Sequence, residues 1–253
     1  MNFDLQSILA ALALVGVGVG LSIYQRVKLE KDILIGTVRT FVQLIAIGYA
    51  LNIIFDLDHI LLILLTVMVM VVIGGYTAGR RADLFFSGFS ISTLSIGLGT
   101  FSTLGFMLLL GIINIDPKYV IPLGGMMVGN SMNASALALE RLDSEVRGKR
   151  ALVEQRLALG ATCSLAIEDS FRKTVKAAMI PILNVMKVIG LVQLPGAMTG
   201  MILAGASPLS AVIIQIIVMY MLVSSVTISA VLTTVLARSR YFTKDHQIVE
   251  VAI

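Results

Sequence analysis

Seven apolar runs, each long enough to cross a lipid bilayer, constrain this chain more than any motif in it. They fall at about 5–24, 33–55, 60–78, 87–113, 121–139, 179–203 and 208–236. A bilayer core is spanned by about 20 apolar residues in a helix, because with no water present the backbone groups must bond within the segment. Composition agrees, since 13% of the 253 residues are charged against about 25% in a soluble domain. That is too little charge to cover a water-facing surface. The expected fold is an all-α polytopic membrane protein of about seven transmembrane helices, with residues 1–253 forming a single transmembrane domain.

The separators set the orientation. With the N-terminus out and the C-terminus in, the inner separators are 25–32, 79–83, 140–178 and the tail after 236, and they hold sixteen of the nineteen Lys and Arg. Outside lies Lys118 alone, while Arg39 and Lys187 fall within runs. Inner loops carry such an excess of cations when a chain inserts. The basic balance, at a pI near 9.3, therefore points to a membrane and excludes nucleic acid as a partner. The first run lacks a cationic segment before it and is expected to be a retained span.

Several chemistries are missing. The single cysteine, Cys163, excludes an internal disulfide framework, and no Cys-x-x-Cys or His-rich tract offers a zinc site. No G-x-x-x-x-G-K-[ST] loop occurs, so the chain lacks the usual cradle for ATP phosphates. Neither G-x-S-x-G nor H-E-x-x-H is present, which leaves no catalytic residues to name and disfavours an intramembrane hydrolase. All fifteen carboxylates lie outside the apolar runs. Proton- or sodium-coupled carriers usually keep such groups within their spans, so the energy source is expected in another subunit.

The longest polar stretch, 140–178, is helix-forming, with Gly148 and Gly160 as its breakers. Within it, Glu154-Gln155-Arg156-Leu157-Ala158-Leu159-Gly160-Ala161, followed by Phe171-Arg172-Lys173 and Pro181, resembles the cytoplasmic coupling loop of ABC transporter permeases. A Gly-Ala turn allows two short helices to meet sharply, and a charged face can key into a nucleotide-driven partner. The resemblance implies ATPase-coupling roles for Glu154, Arg156, Gly160, Ala161 and Arg172. Gln155 and Arg156 depart from the alanines common in that motif. An ordinary positive-inside amphipathic loop is the alternative.

A second resemblance covers nearly the whole chain. Arg39-x-x-x-Gln43-Leu44, Ile121-Pro122-Leu123-Gly124-Gly125-Met126, Gly129-Asn130-Ser131-Met132, Leu157-Ala158-Leu159-Gly160-Ala161 and Gly190-Leu191-Val192-Gln193-Leu194-Pro195-Gly196 look like the Fet-type iron-export ABC transporter permease family, related to plant aluminium-tolerance half-transporter permeases. It implies a homodimeric permease of the bacterial plasma (inner) membrane in metal homeostasis. A separate ATP-binding-cassette subunit would carry ATP and Mg, so this chain is expected to bind no cofactor and to be no enzyme. The alternative is a stand-alone channel or facilitator; a membrane sensor or scaffold is a third reading.

Candidate pathway residues follow from polar groups inside apolar runs. Arg39 and Gln43 share a helix face and mark a pathway or gate, unless Arg39 snorkels to the headgroups. Met126, Asn130 and Asn133 stack on one face, either lining a route or locking helices by hydrogen bonds. Pro195 and Gly196 are expected to break the sixth run, which Gln193 and Lys187 make polar, producing a gate or marking a later entrance into the bilayer. No metal ligands can be named, because ferrous iron favours imidazole and carboxylate and neither lies in the spans.

Four Gly-x-x-x-Gly pairs, at Gly16, Gly75, Gly125 and Gly196, and a face of Ser92, Ser95, Gly99 and Ser102 are expected at close helix contacts.

Overall fold

A computed structural model describes residues 5–57, 59–81, 87–243 and 245–249. Among them ten α-helices form: α1 (Leu5–Tyr24), α2 (Glu30–Leu57), α3 (Ile60–Arg81), α4 (Gly88–Leu109), α5 (Pro117–Gly148), α6 (Arg150–Ala158), α7 (Cys163–Ala166), α8 (Glu168–Val188), α9 (Gly196–Leu203) and α10 (Pro208–Arg238). No β-strand occurs among the described residues, so the fold is all-α. Four stretches, Glu30–Phe55, Ile60–Arg81, Gly88–Leu109 and Pro208–Tyr241, are long and apolar enough to cross a membrane. The helices divide into two compact units, Met1–Asp58 and His59–Ile253.

The first unit is a hairpin of α1 and α2. Its turn is fixed by Ser22, whose hydroxyl donates to Glu30 Oε2 at 3.1 Å and accepts from the Leu29 N–H at 3.0 Å. Glu30 and Asp32 begin α2 where the helix dipole favours negative charge, so α2 starts three residues before the apolar run. Its apolar side chains stay uncovered within the unit: Val38 and Leu44 are each 65% exposed. A helix apolar all round is at home only in an apolar surrounding.

The second unit is a bundle of α3, α4, α5, α8 and α10, and small residues let its axes approach closely. Gly75 and Gly79 of α3 lie against the α4 backbone at Thr93 and at Gly88 and Phe89. Gly99 of α4 sits against Ser225 and Ser229 of α10. Buried hydroxyls cross the same contacts: Ser131 and Ser225 are 3.0 Å apart, Thr233 donates to Ser135 Oγ at 3.0 Å, and Ser229 donates to the Ser95 carbonyl at 3.2 Å. The face of Ser92, Ser95 and Gly99 is thus a helix contact. Ser102 is exposed and donates instead to the Leu98 carbonyl in its own helix. Of the four Gly-x-x-x-Gly pairs, only Gly75 and Gly79 are both in such close approach among the described residues. Gly16, Gly20, Gly129, Gly196 and Gly200 face open space.

Asp116 caps α5 by accepting from the Lys118 N–H at 2.8 Å, with Pro117 in the first turn. The 32 residues of α5 span roughly 48 Å at 1.5 Å per residue, against a hydrocarbon core of about 30 Å. α5 therefore projects past any bilayer it crosses. The stretch 140–178 is mostly helical: it begins as the end of α5, passes through α6 and α7, and finishes as the first half of α8.

Candidate functional site at the polar end of the bundle

Where α5, α8 and α10 project, a second core forms beneath a charged surface. Leu139, Leu142 and Val146 of α5 pack with Val153 of α6, with Ala166 and Ile167 around α7, and with Tyr241 just beyond α10. Tyr241 is 2% exposed, and its hydroxyl donates to Asp143 Oδ1 at 3.0 Å. After this tyrosine the chain folds back, with Val249 N–H bonded to the Tyr241 carbonyl at 3.0 Å. This return sets His246 Nδ1 3.1 Å from Cys163 Sγ.

The sequence builds the reversal between α6 and α7 from local geometry. Gly160 has φ +88°, the left-handed region that costs other residues about 1–2 kcal/mol. Its N–H bonds to the Leu157 carbonyl at 2.9 Å, and the Ala161 N–H to the Arg156 carbonyl at 3.0 Å. These are the paired bonds of a Schellman stop. Thr162 then caps α7, accepting from the Leu165 N–H at 3.4 Å.

Arg156 clamps the reversal. It donates to the Ala166 carbonyl at 3.2 Å and to Asp169 Oδ2 at 2.7 Å, joining α6 to the end of α7 and the start of α8. Glu154 pairs with Arg150 at 2.7 Å, and Arg172 with Glu168 at 2.5 Å, both along the outer surface. The structure thus brings Arg156, Gly160 and Ala161 into one turn. Glu154 and Arg172 lie on its flanks, each engaged within its own helix.

Glu145, 9% exposed, is held by Lys149 and by Arg141, the latter at 2.7 Å. The hydrogen bond from Lys149 is the main reason that its carboxyl lies below the usual range, while burial opposes the shift. Lys149 is raised, chiefly by the same bond, and Asp169 is lowered, chiefly by Arg156. A lowered acid stabilises the fold above its unfolded pKa and loses that contribution as pH falls through its folded value. A raised lysine stabilises below its unfolded pKa and loses the contribution as pH rises past its folded value. Amide hydrogen exchange across 141–176, corrected for intrinsic rates, is therefore expected to stay constant from about pH 5 to 9 and to accelerate below about pH 4.

The pathway candidates occupy other places. Arg39 and Gln43 share an exposed face of α2 with Leu34, Ile35, Val38 and Val42. Arg39 has no ion pair or hydrogen bond to any described residue. Asn130 and Asn133 are exposed on α5, and Asn130 Nδ2 donates to the Met126 carbonyl at 2.9 Å. The break in the sixth run is present. α8 stops at Val188, Gly190 takes φ +79°, and Pro195 directly precedes α9. Gln193 is exposed, and its carbonyl accepts from the Gly190 N–H at 2.9 Å. Between this break and α10 lies a cavity of about 340 Å³, lined in part by Pro195, Met198 and Gln215.

Sequence reasoning passed over Gln215, Asp143, Glu145, Lys149, Asp169 and Tyr241. Gln215 carried a legible signal, as an amide in an apolar run. Glu145 and Lys149 carried one too, at the i,i+4 spacing of a helical ion pair, whereas Asp143, Asp169 and Tyr241 acquire their roles only from partners elsewhere in the chain. No group of three or more His, Cys, Asp or Glu able to hold a metal ion occurs among the described residues.

The chain matches the Uncharacterised protein family (UPF0014) over residues 5–242. It belongs to that family. It is 41% identical to the UPF0014 membrane protein STAR2 of Oryza sativa subsp. japonica, over 94% of this chain and 84% of the relative. It is 39% identical to Protein ALUMINUM SENSITIVE 3 of Arabidopsis thaliana, over 94% and 88%. The Escherichia coli (strain K12) protein named Probable iron export permease protein FetB is 36% identical, over 98% of this chain and 96% of the relative. No solved structure matches. With its apolar helices, this UPF0014 chain is an integral membrane protein.

Proposed function

We propose that this chain is the membrane-spanning permease subunit of an ATP-binding-cassette transporter, working as a homodimer with two copies of a separate ATPase chain in a bacterial plasma membrane. Seven spans, with the N-terminus out and the C-terminus in, place the polar end in the cytosol. The observation that carries this reading is the α6–α7 reversal, turned at Gly160 and clamped to α8 by Arg156. A force on α6 would pass through Asp169 into α8, and so to the helix break at Gly190. ATP and Mg belong to the partner subunit, and this chain supplies the lever. The exposed polar faces at Arg39 and Gln43 and at Asn130 and Asn133, with half-buried Met126 beside the latter, would border the route.

The identity to a named iron export permease supports iron, or another metal-related solute, as the cargo of an exporter. The absence of carboxylates from the apolar runs favours either an ATP-driven permease or a stand-alone facilitator. Reconstitution separates the two. The chain alone in liposomes should give no uphill flux, and co-purified ATPase should restore it with ATP. Uphill movement without the partner, or failure of any nucleotide-hydrolysing chain to bind, overturns the proposal.

A further inference from the structure

Gly190 and Pro195 end one helix and delay the next, so the chain leaves its helical path for seven residues between α8 and α9. The detour leaves the cavity of about 340 Å³ against α10. Its wall is thioether and hydrocarbon, from Met186, Met198, Met219, Ile189 and Leu194, with the ring of Tyr220 at one side. Gln215 is the one amide in this wall. It is 7% exposed, and its side chain has no hydrogen bond to any described residue.

The Gln215 amide opens onto the cavity, so whatever fills the space meets one hydrogen-bonding group there, and leaving that group unmatched by an apolar occupant is costly. No charged side chain lines it, which disfavours a hydrated cation, whose desolvation would go uncompensated. A lipid tail would fill the apolar wall but leave Gln215 unpaired. Water would satisfy Gln215 but leave the largely hydrocarbon and thioether wall without contacts. The volume is that of a small-molecule site, and such sites are mostly apolar with a few placed polar groups. Methionine walls adapt to varied shapes.

We propose that this cavity binds a small uncharged molecule with an apolar body and a single hydrogen-bonding group, which Gln215 engages. The proposal stands apart from ATP coupling, because binding needs only this chain.

The test uses the full chain in lipid nanodiscs and a diazirine-bearing alkyl phenol as photolabel, located by peptide mass spectrometry. Labelling is expected to saturate at Met198 and Tyr220 and to be competed by 1-naphthol. Gln215→Leu should cut the saturable labelling about tenfold, equivalent to one hydrogen bond, without lowering the melting temperature, because the amide it removes is unpaired. Val212→Phe, which fills the cavity while keeping Gln215, should cut it equally. Met219→Leu preserves shape and apolarity and should leave it unchanged.

Labelling competed by fatty acid but indifferent to Gln215→Leu would mean a lipid-filled groove and overturn the proposal. Absent labelling would overturn it too, as would loss of stability in Gln215→Leu, which would mean that another helix or a second copy already pairs the amide.

Discussion

A Gly79→Ala chain is expected to lose its folded bundle, although the substitution adds a single methyl group. That methyl would lie 2.5 Å from the Phe89 nitrogen and 2.6 Å from the Gly88 carbonyl carbon. Both are backbone atoms of α4, which cannot rotate aside as a side chain can. At Gly75 the same addition would come 2.6 Å from the Thr93 Cα. Relief requires α3 and α4 to separate, which also opens the packing of Val71, Ala78 and Ile96. Ordinary overpacking costs about 1–3 kcal/mol. A clash between two backbones belongs at or above the top of that range, about 4 kcal/mol, which consumes much of a typical stability. Gly129→Ala and Gly196→Ala share the same Gly-x-x-x-Gly spacing but add their methyl to open space. They should be neutral or mildly stabilising, by up to about 1 kcal/mol. Thermal unfolding in detergent distinguishes the two classes, and a Gly79→Ala chain that melts with its parent would refute the α3–α4 contact.

Arg156→Glu is expected to uncouple rather than unfold. Arg156 and Asp169 are both partly in solvent, with side chains 34% and 60% exposed, so screening leaves the pair a small share of global stability. Its geometry matters more than its energy, because it joins α6 to α8 across the reversal at Gly160. If the polar end is the seat of an ATPase, reversing this charge should leave the melting temperature nearly unchanged. ATP-driven flux should fall about tenfold or more, within the usual span of coupling energies. Asp169→Arg placed in the same chain restores the opposite-charge pair and should recover much of the flux. Glu154→Lys alters an exposed pair within α6 and should weaken partner binding without disturbing the reversal. Gly160→Val strains the left-handed turn and should resemble Arg156→Glu. Full flux in all three variants would remove the lever from the mechanism.

Much of this architecture was legible because it is local. Hydropathy placed α1 to α4 and α10 to within a few residues, α1 coinciding with its run and α10 ending two residues past its own, whereas α5 runs well past its run and the sixth run is divided between α8 and α9. Gly160 is legible as a breaker because a positive φ acts on its own neighbourhood, whereas the break near Pro195 begins earlier than that residue suggests, at Val188 and the positive-φ Gly190, with Pro195 standing just before α9. Gly148 is the last residue of α5. The helical character of 140–178 is legible too, and α5 keeps its hydrogen bonds into it because a helix does not stop where hydropathy does.

Sequence alone thus determined the all-α class, the positions of the apolar helices and the turns between them, since each depends on the solvent preference or backbone freedom of residues adjacent in the chain. Tertiary structure alone decided which Gly-x-x-x-Gly pair is a contact, which arginine holds the reversal, that Tyr241 closes the polar end, and that Gln215 faces a cavity with no partner among the described residues. The physical reason is that a glycine, a charge or an amide acts through whatever lies opposite it. Here Thr93 stands opposite Gly75, Asp169 opposite Arg156 and Asp143 opposite Tyr241, and no local pattern records those distances.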